Sequence, residues 1–237
     1  MKRTALLLIS LYMGLVGANA QSNKNNLNKD GDVSITDVIE LAKNIRIQDN
    51  GENATGEAID LGLPSGTKWA SCNVGANKPE EYGDYFAWGE TEKKKIYDWV
   101  QYVHNNGDHT TCYDLGSNIS GTEYDVAHVK WGGKWRMPTS DNFQELLDNC
   151  KSEWTKLNGV NGRKFTSKIN GNSIFLPAAG YRQNGSLGHA GKGGFYWSAT
   201  QSPYTLYNAY YLYFRSSRAY WLPDDRYYGR TVRPVKR

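Results

Sequence analysis

Hydrophobic and polar residues alternate most regularly near the C-terminus, at residues 208–215. The alternation separates two sets of side chains: Tyr210, Leu212 and Phe214 on one side, and Tyr211, Tyr213 and Arg215 on the other. A period of two is typical of a strand, because successive side chains point to opposite faces of a sheet. The pattern therefore predicts a strand with an apolar inner face and an aromatic, cationic outer face.

Two other segments have helical spacing. Residues 125–131 predict a short helix with Asp125 near its N-cap, ended by the Gly132-Gly133 pair. Residues 141–150 predict a longer amphipathic helix, capped by Thr139 or Ser140.

The remaining pattern predicts short strands between turns. Residues 58–76 form a strand, a turn and a second strand, and further strands are expected at 153–157, 163–169 and 173–177. The connecting segments are an aromatic loop at 78–91, a polar surface insertion at 92–123 and a glycine-rich loop at 180–194. We therefore expect an α+β domain with short antiparallel sheets and one to two helices.

Residues 1–20 have the features of a bacterial signal peptide. Lys2 and Arg3 precede an apolar run at 5–16, and the small residues of A-N-A at 18–20 predict cleavage before Gln21. The alternative is a membrane anchor, but the apolar run is too short for a confident span. We expect export to the extracellular space, the cell surface or the periplasm, with no membrane span after cleavage.

Oxygen-bearing side chains then follow the spacing of an EF-hand calcium loop. Loop positions 1, 3, 5, 7, 9 and 12 are Asn26, Asn28, Asp30, Asp32, Ser34 and Asp37. Gly31 allows the sharp turn at position 6, and the residues that follow have helical spacing. The alternative is a polar loop that caps this helix through Ser34 or Thr36. Agreement at every ligand position favours Ca²⁺.

Residues 24–46 resemble a single type I dockerin repeat, N-x-N-x-D-G-x-x-x-x-x-D followed by V-I-E-L-A. The resemblance implies an EF-hand-like loop–helix, with Asp37 at the position where ordinary EF-hands use Glu. It also implies a cohesin-like partner. Dockerins normally carry two repeats and only one is found here, so cohesin docking stays open while local calcium binding is expected. Residues 47–57 are polar and predict a linker to a main domain at 58–237.

Composition narrows the class of protein. The 237 residues are 39% hydrophobic and 22% charged, which indicates a soluble globular chain. A net charge of +4 with scattered basic residues disfavours nucleic acid as a partner. Cys72, Cys112 and Cys150 are odd in number and lack C-x-x-C spacing, which favours buried thiols over a disulfide or a metal site.

Aromatic and arginine residues are concentrated at 195–235, which holds more than half of the 17 tyrosines. Tyrosine and tryptophan offer a large, stiff contact area with a polar handle, and interspersed arginines suit a protein or glycan surface. The candidate ligand-binding residues, which are expected to point outward, are Tyr204, Tyr207, Tyr211, Tyr213, Arg215, Arg218, Tyr220, Trp221, Asp224, Arg226, Tyr227 and Tyr228. The alternative is that a part of this set packs in the core, with Trp221 and Tyr228 as the first candidates for the core. Residues assigned to the core are Trp69, Trp88, Trp135 and Trp197. Arg230 and Arg233 are expected to hold the C-terminal strand by local pairing.

Six motifs follow one another along the main domain: DLGLPSGTKWASCNVGA, YGDYFAWGE, WRMPTSDNFQELL, IFLPAAGYR, GFYWSAT and GRTVRPV. This set closely resembles the Fibrobacter succinogenes major paralogous domain, a family abundant in exported proteins of gut Bacteroidetes. The resemblance covers residues 58–237 and implies a C-type-lectin-like fold. In variable proteins of that fold, the segment between a Trp-Ser motif and a Val-Arg end forms the ligand face. That segment corresponds to residues 197–233 here.

Catalysis finds little support in the sequence. Asp224 and Asp225 are adjacent in a predicted turn beside Arg226, whereas a glycosidase needs two carboxylates about 5–9 Å apart across a cleft. Formylglycine-generating enzymes, which share the lectin-like fold, rely on cysteines late in the chain, and none follows Cys150. The calcium-dependent sugar motifs of lectins are also absent from the sequence. We therefore predict a non-catalytic binding module for a glycan or a protein. The alternatives are a component of a polysaccharide-degrading assembly and a carbohydrate-active enzyme.

Overall fold

The computed structural model describes residues 56–107 and 111–237. The signal segment, the calcium loop and most of the predicted linker lie outside these residues. Within them are two helices, α1 (Val126–Trp131) and α2 (Ser140–Asn149). The strands are β1 (Ala58–Asp60), β2 (Lys68–Ala70), β3 (Cys150–Leu157), β4 (Val160–Ser167), β5 (Ser173–Pro177), β6 (Tyr181–Gln183), β7 (Ser186–Gly188), β8 (Gly194–Gln201), β9 (Asn208–Phe214), β10 (Ala219–Asp225) and β11 (Val235–Lys236).

The strands form small antiparallel sheets. Three sheets have the orders β1–β2–β11, β3–β4–β5 and β10–β9–β8, and β6 pairs with β7 as a hairpin. In the first sheet Val235 lies opposite Trp69, so the end of the domain is tied to its beginning. The prediction of a sheet-rich α+β domain with few helices is confirmed.

Helix α2 begins at the predicted cap. The Thr139 hydroxyl accepts a hydrogen bond from the Asn142 backbone N–H at 3.2 Å, and the Asn142 side chain accepts from the Thr139 N–H at 3.0 Å. This reciprocal pair satisfies two N–H groups that a helix start leaves without partners. Phe143 and Leu146 are buried, and the Phe143 ring stacks on Trp69 with centroids 5.7 Å apart. The helix is thereby fixed against the core.

Helix α1 is capped by Asp125, as predicted, and this carboxylate also joins three parts of the chain. One oxygen accepts from the N–H groups of Ala127 and His128, and the other from those of Gly121 and Met137. Burial raises the pKa of Asp125, while the four N–H donors act in the opposite direction. The residue therefore ties the end of the insertion to α1 and to the segment that enters α2.

The central strand β9 corrects the prediction of an exposed outer face. One face of the sheet packs on α2 and β3–β5, and Leu212 and Phe214 are fully buried there. The opposite face packs on a second core cluster, so Tyr211 and Tyr213 are only 6% and 8% exposed. Of the expected outer set, Arg215 alone reaches solvent. The sequence of a strand that is buried on both faces can still alternate, when the second face packs on an aromatic cluster.

The insertion at 92–123 is irregular, as expected, but it is not only a surface feature. Tyr97, Tyr102 and Ile119 are at most 2% exposed. The Tyr102 hydroxyl donates to the Trp88 carbonyl at 2.8 Å, which satisfies its polar end inside the core. The insertion therefore supplies core residues that its polar composition conceals.

The glycine-rich stretch at 180–194 contains the β6–β7 hairpin. Its two turn residues, Asn184 and Gly185, both have positive φ, at 47° and 78°. This is the backbone of a tight hairpin turn, for which Asn-Gly is the favoured pair. The hairpin presents Tyr181, Arg182 and Gln183, all of which are half-buried.

Other residue assignments have mixed outcomes. Cys72 and Cys150 are buried thiols, as predicted, and the four core tryptophans are at most 7% exposed. Arg233 is fully buried, but its partners are distant in sequence: it donates to the Asn73 side chain and to the carbonyl of Phe175. Local pairing is therefore wrong for this arginine. Among the described residues, no helix is long and apolar enough to cross a membrane.

Candidate ligand-binding surface

The structure divides the twelve candidate ligand residues by exposure. Three are exposed: Tyr204, Arg215 and Arg218. Five are half-buried: Tyr207, Tyr220, Trp221, Asp224 and Tyr228. Four are buried: Tyr211, Tyr213, Arg226 and Tyr227. The expected outward orientation is therefore wrong for the last four. A ligand could reach them only if the side chains that cover them moved away.

Tyr211 is covered by Arg230. The Arg230 guanidinium lies 3.5 Å from the Tyr211 ring centroid and 4.3 Å from that of Trp197, and Arg230 itself is 1% exposed. Phe195 stacks on Tyr211 from the neighbouring strand, with centroids 6.0 Å apart. Burial raises the pKa of Tyr211 to about 12. Tyr211 therefore acts as packing for a buried cation.

Arg230 is paired with Asp224 through one of its terminal nitrogens. Its other two nitrogens have no acceptor among the described residues. The sequence predicted that Asp224 and Asp225 lie in a turn, whereas in the structure they are the last two residues of strand β10, and Asp224 pairs with Arg230. Asp225 accepts a hydrogen bond from the Asn208 side chain at 2.8 Å. Burial and then the neighbouring Asp224 charge raise the pKa of Asp225.

Arg226 is a structural residue. Its Nε donates to the Tyr102 hydroxyl at 2.8 Å, and Nη1 donates to the Leu206 carbonyl at 2.6 Å. The guanidinium also lies 4.4 Å from the Trp88 ring centroid. Since Tyr102 belongs to the insertion and Leu206 to the loop before β9, Arg226 joins the two segments from inside.

A series of aromatic rings in mutual contact runs across the loops beside the central sheet. We call it the aromatic row, and its members are Tyr207, Trp99, Tyr227, Tyr228 and Tyr181. Successive ring centroids are 6.3, 5.0, 4.4 and 5.4 Å apart. All but Tyr227 are half-buried, so each of these four residues keeps part of its surface in contact with solvent.

The β6–β7 hairpin holds the aromatic row in place. The Gln183 side-chain amide donates to the hydroxyls of Tyr227 and Tyr228 at 3.1 and 3.2 Å. The backbones of Arg182 and Gly229 exchange two hydrogen bonds of 2.7 and 3.0 Å. A surface whose rings are already fixed loses little conformational entropy when it binds.

The row continues to the exposed arginine loop through buried rings. Tyr181 contacts Phe195 at 4.9 Å, Phe195 contacts Tyr213 at 5.1 Å, and Tyr213 contacts Tyr220 at 5.2 Å between centroids. The Arg218 guanidinium lies 4.9 Å from the Tyr220 ring centroid. Beyond the buried rings, the series thus ends at the half-buried Tyr220 and the exposed Arg218.

Trp221 and Tyr204 lie apart from this series. Trp221 packs edge-on against Tyr210 at 4.9 Å, and its indole N–H donates to Gln144 of α2 at 2.9 Å. It therefore belongs to the other face of the sheet. Tyr204 is 85% exposed, and its ring makes no contact with another ring of the described residues.

The family model for a domain of unknown function, DUF8237, matches residues 97–235. The chain belongs to this family. Comparisons with curated proteins and with solved structures found no match. The DUF8237 span contains every ring of the aromatic row, from Trp99 to Tyr228.

Sequence reasoning missed two members of the row in the DUF8237 span. Trp99 stands in a polar insertion and Tyr181 in a glycine-rich loop, where no periodicity assigns a face. A large aromatic residue in such a context is the signal that could have drawn attention to them. Only the three-dimensional contacts of Trp99 with Tyr227 and of Tyr181 with Tyr228 place these two residues in the row.

No group of three or more His, Cys, Asp and Glu side chains that could hold a metal ion occurs within 56–107 and 111–237. The predicted calcium ligands, Asn26 to Asp37, lie outside the described part of the chain, so the calcium loop stays a prediction.

Proposed function

We propose that this chain is an exported, non-catalytic binding module that holds a glycan on its aromatic row. The observation that carries the proposal is the contact series Tyr207–Trp99–Tyr227–Tyr228–Tyr181, in which each ring contacts the next and four of the five residues are half-buried. Residues left half-buried keep apolar surface that a ligand could cover.

Partly exposed aromatic rings suit the apolar faces of sugar rings. The ring face carries partial negative charge, and the C–H groups of a pyranose carry partial positive charge. The tyrosine hydroxyls at the ring edges can exchange hydrogen bonds with sugar hydroxyls. The Gln183 side-chain amide contacts two of these tyrosine hydroxyls, those of Tyr227 and Tyr228. The row therefore offers both stacking area and polar orientation, as ligand sites commonly do.

A protein ligand is the second candidate, and exposed aliphatic side chains favour it. Val100 and Val103 follow Trp99 in the insertion and are 78% and 67% exposed, and Leu206 precedes Tyr207 and is 43% exposed. Exposed apolar side chains beside aromatic anchors are typical of protein interfaces. This arrangement would bind a partner through the same rings.

The proposed C-type-lectin-like fold and the relation to the Fibrobacter succinogenes major paralogous domain rest on the six motifs and their order. The small antiparallel sheets and two helices support this assignment in broad terms. The segment between Trp197-Ser198 and Val232-Arg233 holds Tyr207, Tyr227 and Tyr228, which agrees with the ligand face that the resemblance implies.

We further propose that residues 26–37 bind Ca²⁺. The donor set consists of Asn, Asp and Ser oxygens at the spacing of a calcium loop, which fits a hard cation. When bound, the ion would order the loop and the helix that follows it. A cohesin-like partner, which would attach the module to a polysaccharide-degrading assembly, is the related alternative for this segment.

A binding screen with matched variants tests the glycan proposal. The full-length protein is applied to a glycan array, and hits are measured by calorimetry with wild type, Trp99→Ala and Tyr207→Ala. Each variant should bind about 2–12-fold more weakly, since a stacked ring is worth roughly 0.5–1.5 kcal/mol. The matched control is Tyr113→Ala, because this tyrosine is 54% exposed and makes no ring contact in the described part of the chain.

Two results would count against glycan binding. Equal affinities of Tyr207→Ala, Trp99→Ala and wild type would place the glycan elsewhere. Failure to bind any glycan, together with capture of a protein partner that the same variants weaken, would assign the row to the protein candidate.

A further inference from the structure

A concave site lies beside the β6–β7 hairpin, where Arg182 and Gly185 line it. It is a cavity of about 390 Å³, within the range of about 300–1,000 Å³ that small-molecule sites occupy. The charged and aromatic residues that line it are Lys93, Lys94, Lys95, Arg182, Tyr85 and Tyr97, together with one acidic residue, Asp84. No motif in the sequence drew attention to this combination.

Two of the four cations are neutralised by carboxylates. The Lys93 ammonium lies 3.0 Å from an Asp84 oxygen, and the Lys94 ammonium lies 2.7 Å from an oxygen of Glu90. Lys95 and Arg182 have no carboxylate partner among the described residues. The cavity therefore carries an excess of two positive charges, from one exposed lysine and one half-buried arginine.

Arg182 is positioned by its surroundings. Its backbone is fixed to Gly229 by two hydrogen bonds, and its guanidinium lies 5.1 Å from the Tyr85 ring centroid. The Tyr85 hydroxyl in turn donates to the Ala179 carbonyl at 2.6 Å, which fixes the ring. Stacking uses the face of a guanidinium and leaves the N–H donors in its plane available.

The tyrosine hydroxyls of the cavity are already engaged. The Tyr97 hydroxyl donates to the Tyr85 carbonyl and accepts from the Lys94 N–H at 3.2 Å. The two rings therefore form walls, and the available recognition chemistry comes from Lys95 and Arg182. A planar donor fork and a second cation that line one cavity match the oxygens of a sulfate, a phosphate or a carboxylate.

We infer that this cavity binds a compact oxyanion, through the guanidinium of Arg182 and the ammonium of Lys95. The shared chemistry is a sulfate, phosphate or carboxylate group, free or carried on a small molecule. The inference stands apart from the proposed binding to the aromatic row, because the two sites use different side chains of the β6–β7 hairpin.

Calorimetry at low ionic strength tests the inference, with inorganic sulfate, inorganic phosphate and D-glucuronate as separate probes for the full-length protein. At least one probe should bind to wild type, and added sodium chloride should weaken it. Arg182→Gln should lose about tenfold or more in affinity, since it removes charge-assisted hydrogen bonds. Lys95→Gln should lose affinity for the same probe, and because Lys95 is exposed this variant should fold.

The matched control is Lys151→Gln, which removes one exposed positive charge from β3. It should keep the wild-type affinity within about twofold. Binding of D-glucuronate alone would identify a carboxylate ligand, and binding of sulfate or phosphate would identify a tetrahedral one. The inference is overturned if wild type binds none of the probes. It is equally overturned if Lys151→Gln weakens binding as much as Lys95→Gln does.

Discussion

Replacing Tyr211 by alanine distinguishes a packing residue from a ligand contact. The alternating pattern places this ring on an outer, ligand-facing side, whereas the structure leaves it 6% exposed beneath the Arg230 guanidinium. A ligand contact could be removed without loss of stability. A ring that packs against a buried cation could not be removed without such a loss.

The expected magnitude follows from the contacts that are lost. Truncating a buried aromatic side chain to alanine costs about 3–5 kcal/mol. Loss of the ring face beside Arg230 adds up to about 2 kcal/mol where the cation is desolvated. Taking the first term alone, and about 2–4 °C per kcal/mol for a domain of this size, the melting temperature should fall by roughly 6–20 °C.

The assay is thermal unfolding followed by circular dichroism, with urea unfolding as a second measure of the free energy. Arg215→Ala is the matched control, since Arg215 directly follows the same strand and is exposed. Its effect on the free energy of unfolding should stay within about 0.5 kcal/mol. Tyr211→Phe keeps the ring and should cost much less than alanine.

One result would refute this reasoning about Tyr211. If Tyr211→Ala melts within about 2 °C of wild type while ligand binding is lost, then Tyr211 is a ligand contact and the packing account is wrong. In that case the side chains that cover the Tyr211 face of β9 would have to move away from it in solution.

Two further predictions concern calcium and pH. Isothermal calorimetry should detect calcium binding to wild type and little or none to the Asp30→Ala, Asp37→Ala double variant, which loses two carboxylate ligands; equal affinities would exclude the proposed loop. Stability should fall between about pH 10 and pH 12, because burial raises the pKa of Tyr196 to about 12 and the folded state keeps a proton that the unfolded state releases near 10. Urea midpoints measured across that range check the second prediction, and a flat profile would contradict it.

Local structure followed closely from local sequence. The strand at 173–177 and the capped helices at 125–131 and 140–149 lie within a residue or two of their predicted bounds. Caps, turns and alternation depend on neighbours a few residues apart, so their signals are contained in short windows. The buried tryptophans were also predictable, because large apolar residues near turns and strands rarely stay exposed.

The binding surfaces depended on contacts between distant segments. Alternation separated the two faces of β9 correctly but could not tell which faces would be covered. Tyr211 is covered by Arg230, and Arg226 is held inside by Tyr102 of the insertion. Polar composition likewise concealed that the insertion supplies Tyr97 and Tyr102 to the core.

By itself, the sequence determined a sheet-rich α+β domain, its two helices and a C-terminal concentration of aromatic residues, since all three follow from composition and from spacing over a few residues. The tertiary structure decided which of those aromatic residues remain at the surface. It also brought Trp99 and Tyr181 beside Tyr227 and Tyr228, and placed Lys95 with Arg182 around one cavity. The physical reason is that exposure and charge pairing are properties of three-dimensional neighbours, which a linear pattern does not contain.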